Sequence, residues 1–188
     1  MSSGGGRANS TLTGYAIVLG AIALIVGAMA LVVDARRQEH IPSVDYTADA
    51  LSLSEIAPYR SYAPEGLPEG WTPTSSRLET GGTLPGEEPT EPIRWTLGFA
   101  TPEDRHAAFS ISDADPDEFV AEVGMNGEPD GESAVDGRTW ERRYNEAENE
   151  RSLVLRADDA TLVVSGGASY EELETLAAAL EPQEPPQE

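Results

Sequence analysis

Two histidines, a short run of carboxylates and three tryptophans are the residues of this chain whose types could do chemistry. His40 and His106 are the only imidazoles available as general acid, general base or metal ligand. His40 lies just beyond a long apolar stretch, and His106 opens an alternating run in which an exposed strand position accounts for it. No Gly-x-Ser-x-Gly elbow is present; Ser165-Gly166-Gly167 reads as a strand end before a helix cap. The carboxylates Asp113, Asp115, Asp117 and Glu118 suggest calcium, but Glu118 stands where an EF-hand loop needs its glycine and Gly124 where it needs its bidentate glutamate. Helix capping explains the same residues. A paired-carboxylate hydrolase would need two acids at a defined separation, and with 34 acids in the chain no pair stands out. Trp71, Trp95 and Trp140 are the candidate ligand or partner surface, able to line a groove for a sugar or an apolar ligand; core packing is the commoner use of such residues. No pattern calls for a metal or a cofactor, so no catalytic, metal or cofactor-binding residue is assigned.

The elements that position these side chains can be read from periodicity. Leu67 and Trp71 anchor a segment of three prolines and two glycines that forbids a helix (residues 62–74), and a strand is expected over Thr74 to Glu79. Gly81 to Pro92 has loop composition. Ile93, Trp95, Leu97 and Phe99 alternate, as do Ala107, Phe109 and Ile111 after a Pro102-Glu103-Asp104 turn, which predicts a hairpin. A strand over Arg138 to Tyr144 and a second pair, Leu153–Arg156 and Thr161–Ser165 about an Asp158-Asp159 turn, follow. Asp115-Pro116 opens a short helix that turns Phe119, Val120 and Val123 inward, with Glu118 as its capping-box residue. Ser169 and Glu172 form a second capping box, before a stripe of Leu173, Leu176, Ala177 and Leu180. Pro182 is expected to end that helix.

Upstream, residues 12–33 (LTGYAIVLGAIALIVGAMALVV) carry no charge and as a helix cover about 33 Å, enough to span a bilayer. A buried helix of a soluble protein would show a polar face, which this one lacks. Arg7 and Ala28-Met29-Ala30 also suit a cleaved signal peptide, but hydrophobicity continuing to Val33 exceeds a signal h-region and favours a retained anchor. Gly20 and Gly27 do not make a GxxxG pair, and no oligomeric state follows. Flanking charge, Arg7 on one side against Arg36 and Arg37 on the other, does not set the orientation.

Composition narrows the partners. The chain has 34 acidic residues against 12 basic ones, all arginine, for a net charge of −22. Such a surface repels phosphate backbones, so nucleic acid is not expected. Arginine without lysine, with abundant Ala, Gly and Pro, suggests GC-rich coding, and the acidity suits a saline habitat. The absence of cysteine removes disulfides and thiolate chemistry.

Val44-Asp45-Tyr46-Thr47, then Ala63-Pro64-Glu65-Gly66-Leu67-Pro68-Glu69-Gly70-Trp71 with Pro73-Thr74-Ser75, resemble the signature of the actinobacterial membrane proteins catalogued as domain of unknown function 4245. Trp95-x-Leu97-Gly98-Phe99-x-Thr101-Pro102, Ser112-Asp113-Ala114-Asp115, Val135-x-Gly137-x-x-Trp140 and Leu162-Val163-Val164-x-Gly166 continue it in order. The resemblance implies an N-terminal anchor with the domain outside the cytoplasm and supplies no activity or catalytic residue. This chain departs from the family in carrying little positive charge before the anchor.

The expected protein is thus a tail (1–11), a single transmembrane helix (12–33), a tether (34–57), an extracytoplasmic α+β domain (58–181) and a disordered tail (182–188). Within the tether a short helix is expected from Ser43 onward, and Tyr46, Leu51, Leu53 and Ile56 give it something to bury. The domain should be an antiparallel sheet of about five or six strands, one face packed by the C-terminal helix and a shorter helix. Its expected role is a non-enzymatic binding module of the cell envelope, held by a single-pass membrane anchor with the N-terminus cytoplasmic, and meeting another envelope protein or a cell-wall component. A carrier of a small apolar ligand or glycan, using a pocket between sheet and helix, is the alternative; an envelope hydrolase is the third.

Overall fold

The computed structural model describes residues 43–183 and, within the 12–33 stretch, Gly20, Ile22 and Met29, which are helical and exposed. The expected tails at 1–11 and 184–188, and the rest of the expected spanning helix, lie outside the described residues. Among the described residues no helix is long and apolar enough to cross a membrane.

The unit that begins at Pro42 is α+β. Its elements in chain order are α1 (Thr47–Ile56), β1 (Tyr62–Pro64), β2 (Thr72–Glu79), β3 (Arg94–Ala100), β4 (His106–Ser112), α2 (Pro116–Val123), β5 (Glu128–Val135), β6 (Arg138–Asn145), β7 (Glu150–Arg156), β8 (Thr161–Gly166), α3 (Tyr170–Ala178) and β9 (Leu180–Pro182). Strands β2-β3-β4-β8-β7-β6-β5 form one seven-stranded sheet in that order, antiparallel throughout. The separate ribbon β1-β9 joins the start of the domain to its end. Helix α2 carries the chain from the middle of the sheet to its far edge, and β5 to β8 then meander back to lie beside β4.

Directly opposed residues of an antiparallel sheet share a face, and the two faces here differ. Trp95, Leu97, Phe99, Phe109, Ile111, Leu153, Leu162 and Val164 form the main core with Ala50, Leu53 and Ile56 of α1 and Leu173, Leu176 and Ala177 of α3. The residues between them, Val154 and Val163, face the other way and bury Phe119 and Val120 of α2. The expected hairpin 93–112 and the pair 153–165 thus form with the alternation read from the sequence.

The structure corrects four expectations. The main sheet has seven strands because β5, an acidic segment containing Pro129 and Gly131, pairs with β6 across an Asp136-Gly137 turn whose residues both have positive φ (48° and 73°). The two helices expected on one face lie on opposite faces, because β7 and β8 are apolar at consecutive positions and need cover on both sides. Leu180 and Pro182 are not the end of a helix and a disordered tail. The helix stops at Ala178, and residues 180–182 pair with β1, still burying Leu180. Lastly, Leu51 of the tether helix is exposed, whereas Leu53 and Ile56 enter the core.

Both N-caps form, but only the second of the two expected capping boxes is complete, because no bond returns from the Glu118 side chain to Asp115. The Asp115 carboxylate accepts the amides of Asp117 and Glu118 at 3.1 Å each, so Glu118 takes part through its backbone. Ser169 and Glu172 make the reciprocal capping box.

Candidate functional site

The face of the sheet that α2 covers only in part is lined by short side chains. Across the strands runs a row of Ser75, Gly98, Ala108, Ser165 and Ser152, and beside it Thr96, Ser110, Val163 and Val154. Each short residue alternates along its strand with a large core residue pointing the opposite way, so the bulk of β3 and β4 goes to the main core. Helix α2 fills the space above Val154 and Val163. Beyond its C-terminal end the floor stays open, leaving a groove of about 240 Å³.

The groove is polar at its floor and ends and apolar along one wall. Thr96 and Ser110 share a hydroxyl hydrogen bond of 3.1 Å, and the Ser165 hydroxyl donates to the carbonyl of Val123 at 2.9 Å, capping the last turn of α2. Ala108, Val123 and Met125 supply the apolar contact. Met125 stands exposed at the rim, held there by a turn in which Met125 and Asn126 both have positive φ. At one side Glu122 is tied by two bonds to Arg94 (2.7 and 2.9 Å), which holds its carboxyl below the usual range. Arg94 in turn lies 5.1 Å from the centre of the Phe119 ring.

His106 and Glu150 stand at the other end. Continuing the register of β4, β8 and β7 past the strand ends places them on either side of Gly167, whose lack of a side chain keeps the space between them open. A Cβ at Gly167 would lie 3.8 Å from the nearer Glu150 oxygen. Among the described residues neither side chain makes a hydrogen bond or an ion pair. Burial pushes the Glu150 carboxyl up, against the opposing pull of His106. The Ser165 hydroxyl donates to Val123 rather than to His106, and the arrangement offers hydrogen-bonding surface with the Arg94-bound Glu122 at one side and Glu150 at the other.

A model of the family described as a protein of unknown function, DUF4245, matches residues 7–180. The chain belongs to this family. That membership covers the groove and the whole sheet, and its description carries no activity. A search of curated proteins finds no match.

The sequence candidates fall elsewhere. Trp95 and Trp140 are fully buried in the main core, on the opposite face of the sheet from the groove. Trp95 donates to Ser76 at 3.0 Å and meets Phe109 edge-on, with 6.0 Å between ring centres. Trp140 Nε1 is buried without a hydrogen-bond partner among the described residues. Trp71 is half-buried against Phe99. No tryptophan lines the groove, nor the more open 620 Å³ concavity between Glu128, Asp130, Tyr144 and Glu146 at the β5 edge. Of the acidic run, Asp113 accepts the amide of Ile93 at 2.8 Å, Asp115 caps α2, and Asp117 meets Arg156 at 3.3 Å. His106 is exposed on its strand, as its position suggested, and it also borders the groove. His40 lies outside the described residues.

Sequence reasoning missed Thr96, Ser110, Ser165, Met125 and Glu150. The first two had a usable signal: in adjacent alternating strands the outward positions, Thr96 and Gly98 facing Ala108 and Ser110, are all small, which marks a sheet face that side chains alone do not fill. Glu150 had none, being one acid among 34.

Proposed function

We propose that this protein is a membrane-anchored, extracytoplasmic binding module whose recognition element is the groove between α2 and strands β3, β4 and β8. The observation that carries the reading is the floor of short, hydroxyl-bearing residues left open beside a helix, with a half-buried carboxylate and an imidazole at its end. Binding sites are concave, with a few convergent polar groups set in apolar surroundings. The uncharged stretch at 12–33, where Gly20, Ile22 and Met29 are helical and exposed, supports the anchor. The acidic surface and the family resemblance support an outward-facing domain.

Because the chain has no cysteine, one introduced thiol reports on one place. Met125→Cys at the groove rim and Leu84→Cys in the 81–92 loop are compared in intact cells with a membrane-impermeant maleimide. Both should react, with Met125→Cys slowed by occupancy of the groove and recovering its rate once the full-length protein is extracted and dialysed. Reaction with only a permeant maleimide would reverse the topology, and equal, unchanging rates at the two sites would remove the groove as the recognition element.

A further inference from the structure

The side chains around the groove select among ligands. Among the described residues, Glu150 is the carboxylate on its wall without a hydrogen-bond or ion-pair partner, since Glu122 is held by Arg94. Arg151 follows Glu150 in the chain but points to the other face of the sheet, where it lies 4.9 Å from the Tyr144 ring centre and 5.9 Å from that of Tyr170. Of the other neighbours, Glu148 repels the carboxylate while His106 and, from the far face, Arg151 attract it; burial outweighs them and keeps the Glu150 carboxyl raised. A carboxylate taken from water without a partner is costly, and a ligand cation relieves that cost. The field of a chain with net charge −22 concentrates cations and repels anions.

Opposite the carboxylate, Thr96, Ser110 and Ser165 present three hydroxyls. Each hydroxyl has one proton and two lone pairs, so the internal bonds of Thr96 with Ser110 and of Ser165 with Val123 leave capacity for a ligand. The wall of Ala108, Val123 and Met125 suits an apolar ring face. At about 240 Å³ the groove falls below the roughly 300–1,000 Å³ of pockets that take drug-sized ligands, and it fits one small ring rather than a chain.

We infer that the groove binds a small hydroxylated amine, its ammonium against Glu150 and its hydroxyls against Thr96, Ser110 and Ser165. This rests on the groove being the recognition element and adds the chemical class of what enters it. The test is an amide NMR titration of the full-length chain in detergent micelles, with glucosamine as probe and glucose as its neutral counterpart. Glucosamine should shift the amides of Thr96, Ser110, Glu150 and Ser165 and bind at least about tenfold tighter than glucose, the factor expected for a charge-assisted hydrogen bond. Glu150→Gln should bring glucosamine down to the glucose level, and Thr96→Tyr should fill the groove and weaken both sugars. If glucose binds as tightly and Glu150→Gln changes nothing while Thr96→Tyr still blocks, the amine assignment is overturned and the groove survives as a site. If neither sugar moves the groove amides the assignment is also overturned, and the reactivity of Met125→Cys decides the groove separately.

Discussion

Replacing Gly166 by alanine tests how closely β8 and β4 must approach to form the groove. Gly166 has φ of +152° and borders the groove, and a Cβ built on it would lie 2.2 Å from the His106 carbonyl oxygen and 2.9 Å from Ala107 Cα. Both obstacles are backbone, so neither can swing aside. Clearing them means parting the two strands by roughly 1 Å where they are held about 4.8 Å apart. That costs about two ladder hydrogen bonds at ~1 kcal/mol each, plus ~1–3 kcal/mol for a side chain at that φ, or ~3–5 kcal/mol together. At ~3 °C per kcal/mol for a domain of this size, the melting temperature should fall by about 10–15 °C. Gly137→Ala is the control. It sits at φ +73° in the β5–β6 turn with nothing within 4 Å of the added carbon, so only the backbone penalty of ~1–2 kcal/mol applies. Melts of the full-length chain in micelles, followed by near-ultraviolet circular dichroism, compare the two. A Gly166→Ala protein that melts within about 3 °C of the parent, or no lower than Gly137→Ala, would refute the close-approach argument.

Three further outcomes follow from the packing. Trp95→Phe should cost more than Trp140→Phe in urea denaturation, because the first loses the bond to Ser76, whose hydroxyl keeps its own bond to Asp49, whereas the second removes a buried donor that has no partner among the described residues; the gap should be about 1 kcal/mol. Ser169→Ala should lower stability by about 1 kcal/mol with Ser169→Thr restoring most of it, and equal losses from both would place the effect outside the capping box. Stability should decline on acidification below the ordinary glutamate value of 4.5. Burial works against ionised Glu141 and Glu174, but hydrogen bonds to Glu141 from Arg156 and Arg143, and to Glu174 from Ser133 and Arg142, outweigh it and depress both carboxyls, as Arg94 does for Glu122. Groups depressed in the fold stabilise it fully above their unfolded value and lose that contribution as pH falls through the folded one. Glu150, raised by burial, acts in the opposite sense but alone. Urea midpoints between pH 3 and 7 should therefore drop at the acid end, and Glu141→Gln should flatten the drop.

What was legible in the sequence is what local rules decide. Alternation placed Trp95, Phe99, Phe109 and Ile111 in one core, and the Ser169/Glu172 pair marked the start of α3. Strand β5 was illegible by composition, because Glu128, Pro129, Asp130 and Gly131 are poor strand formers and the segment pairs on one edge only. The Asp136-Gly137 dipeptide was its available clue, since both residues accept the left-handed backbone that a two-residue hairpin needs. Placing α2 and α3 on opposite faces required noticing that Val154 and Val163 are apolar out of phase with Leu153 and Val164. The groove depends on pairing β4 with β8, from Ala108 with Ser165 to Ser112 with Thr161, residues far apart in the chain that no local pattern brings together. For the tryptophans, chemistry alone could not separate a binding surface from an interior; burial separates them.

The β1–β9 ribbon bears on how the molecule is made. Tyr62 to Pro64 wait for Leu180 to Pro182, which are synthesised last among the paired strands, and the Ser61 carbonyl waits for the amide of Gln183. At about 5–20 residues per second, the ribosome leaves the first strand without its mate for several seconds or more. Closing that clasp signals that translation has run through residue 183, so a prematurely terminated product carries an open end for proteases to find.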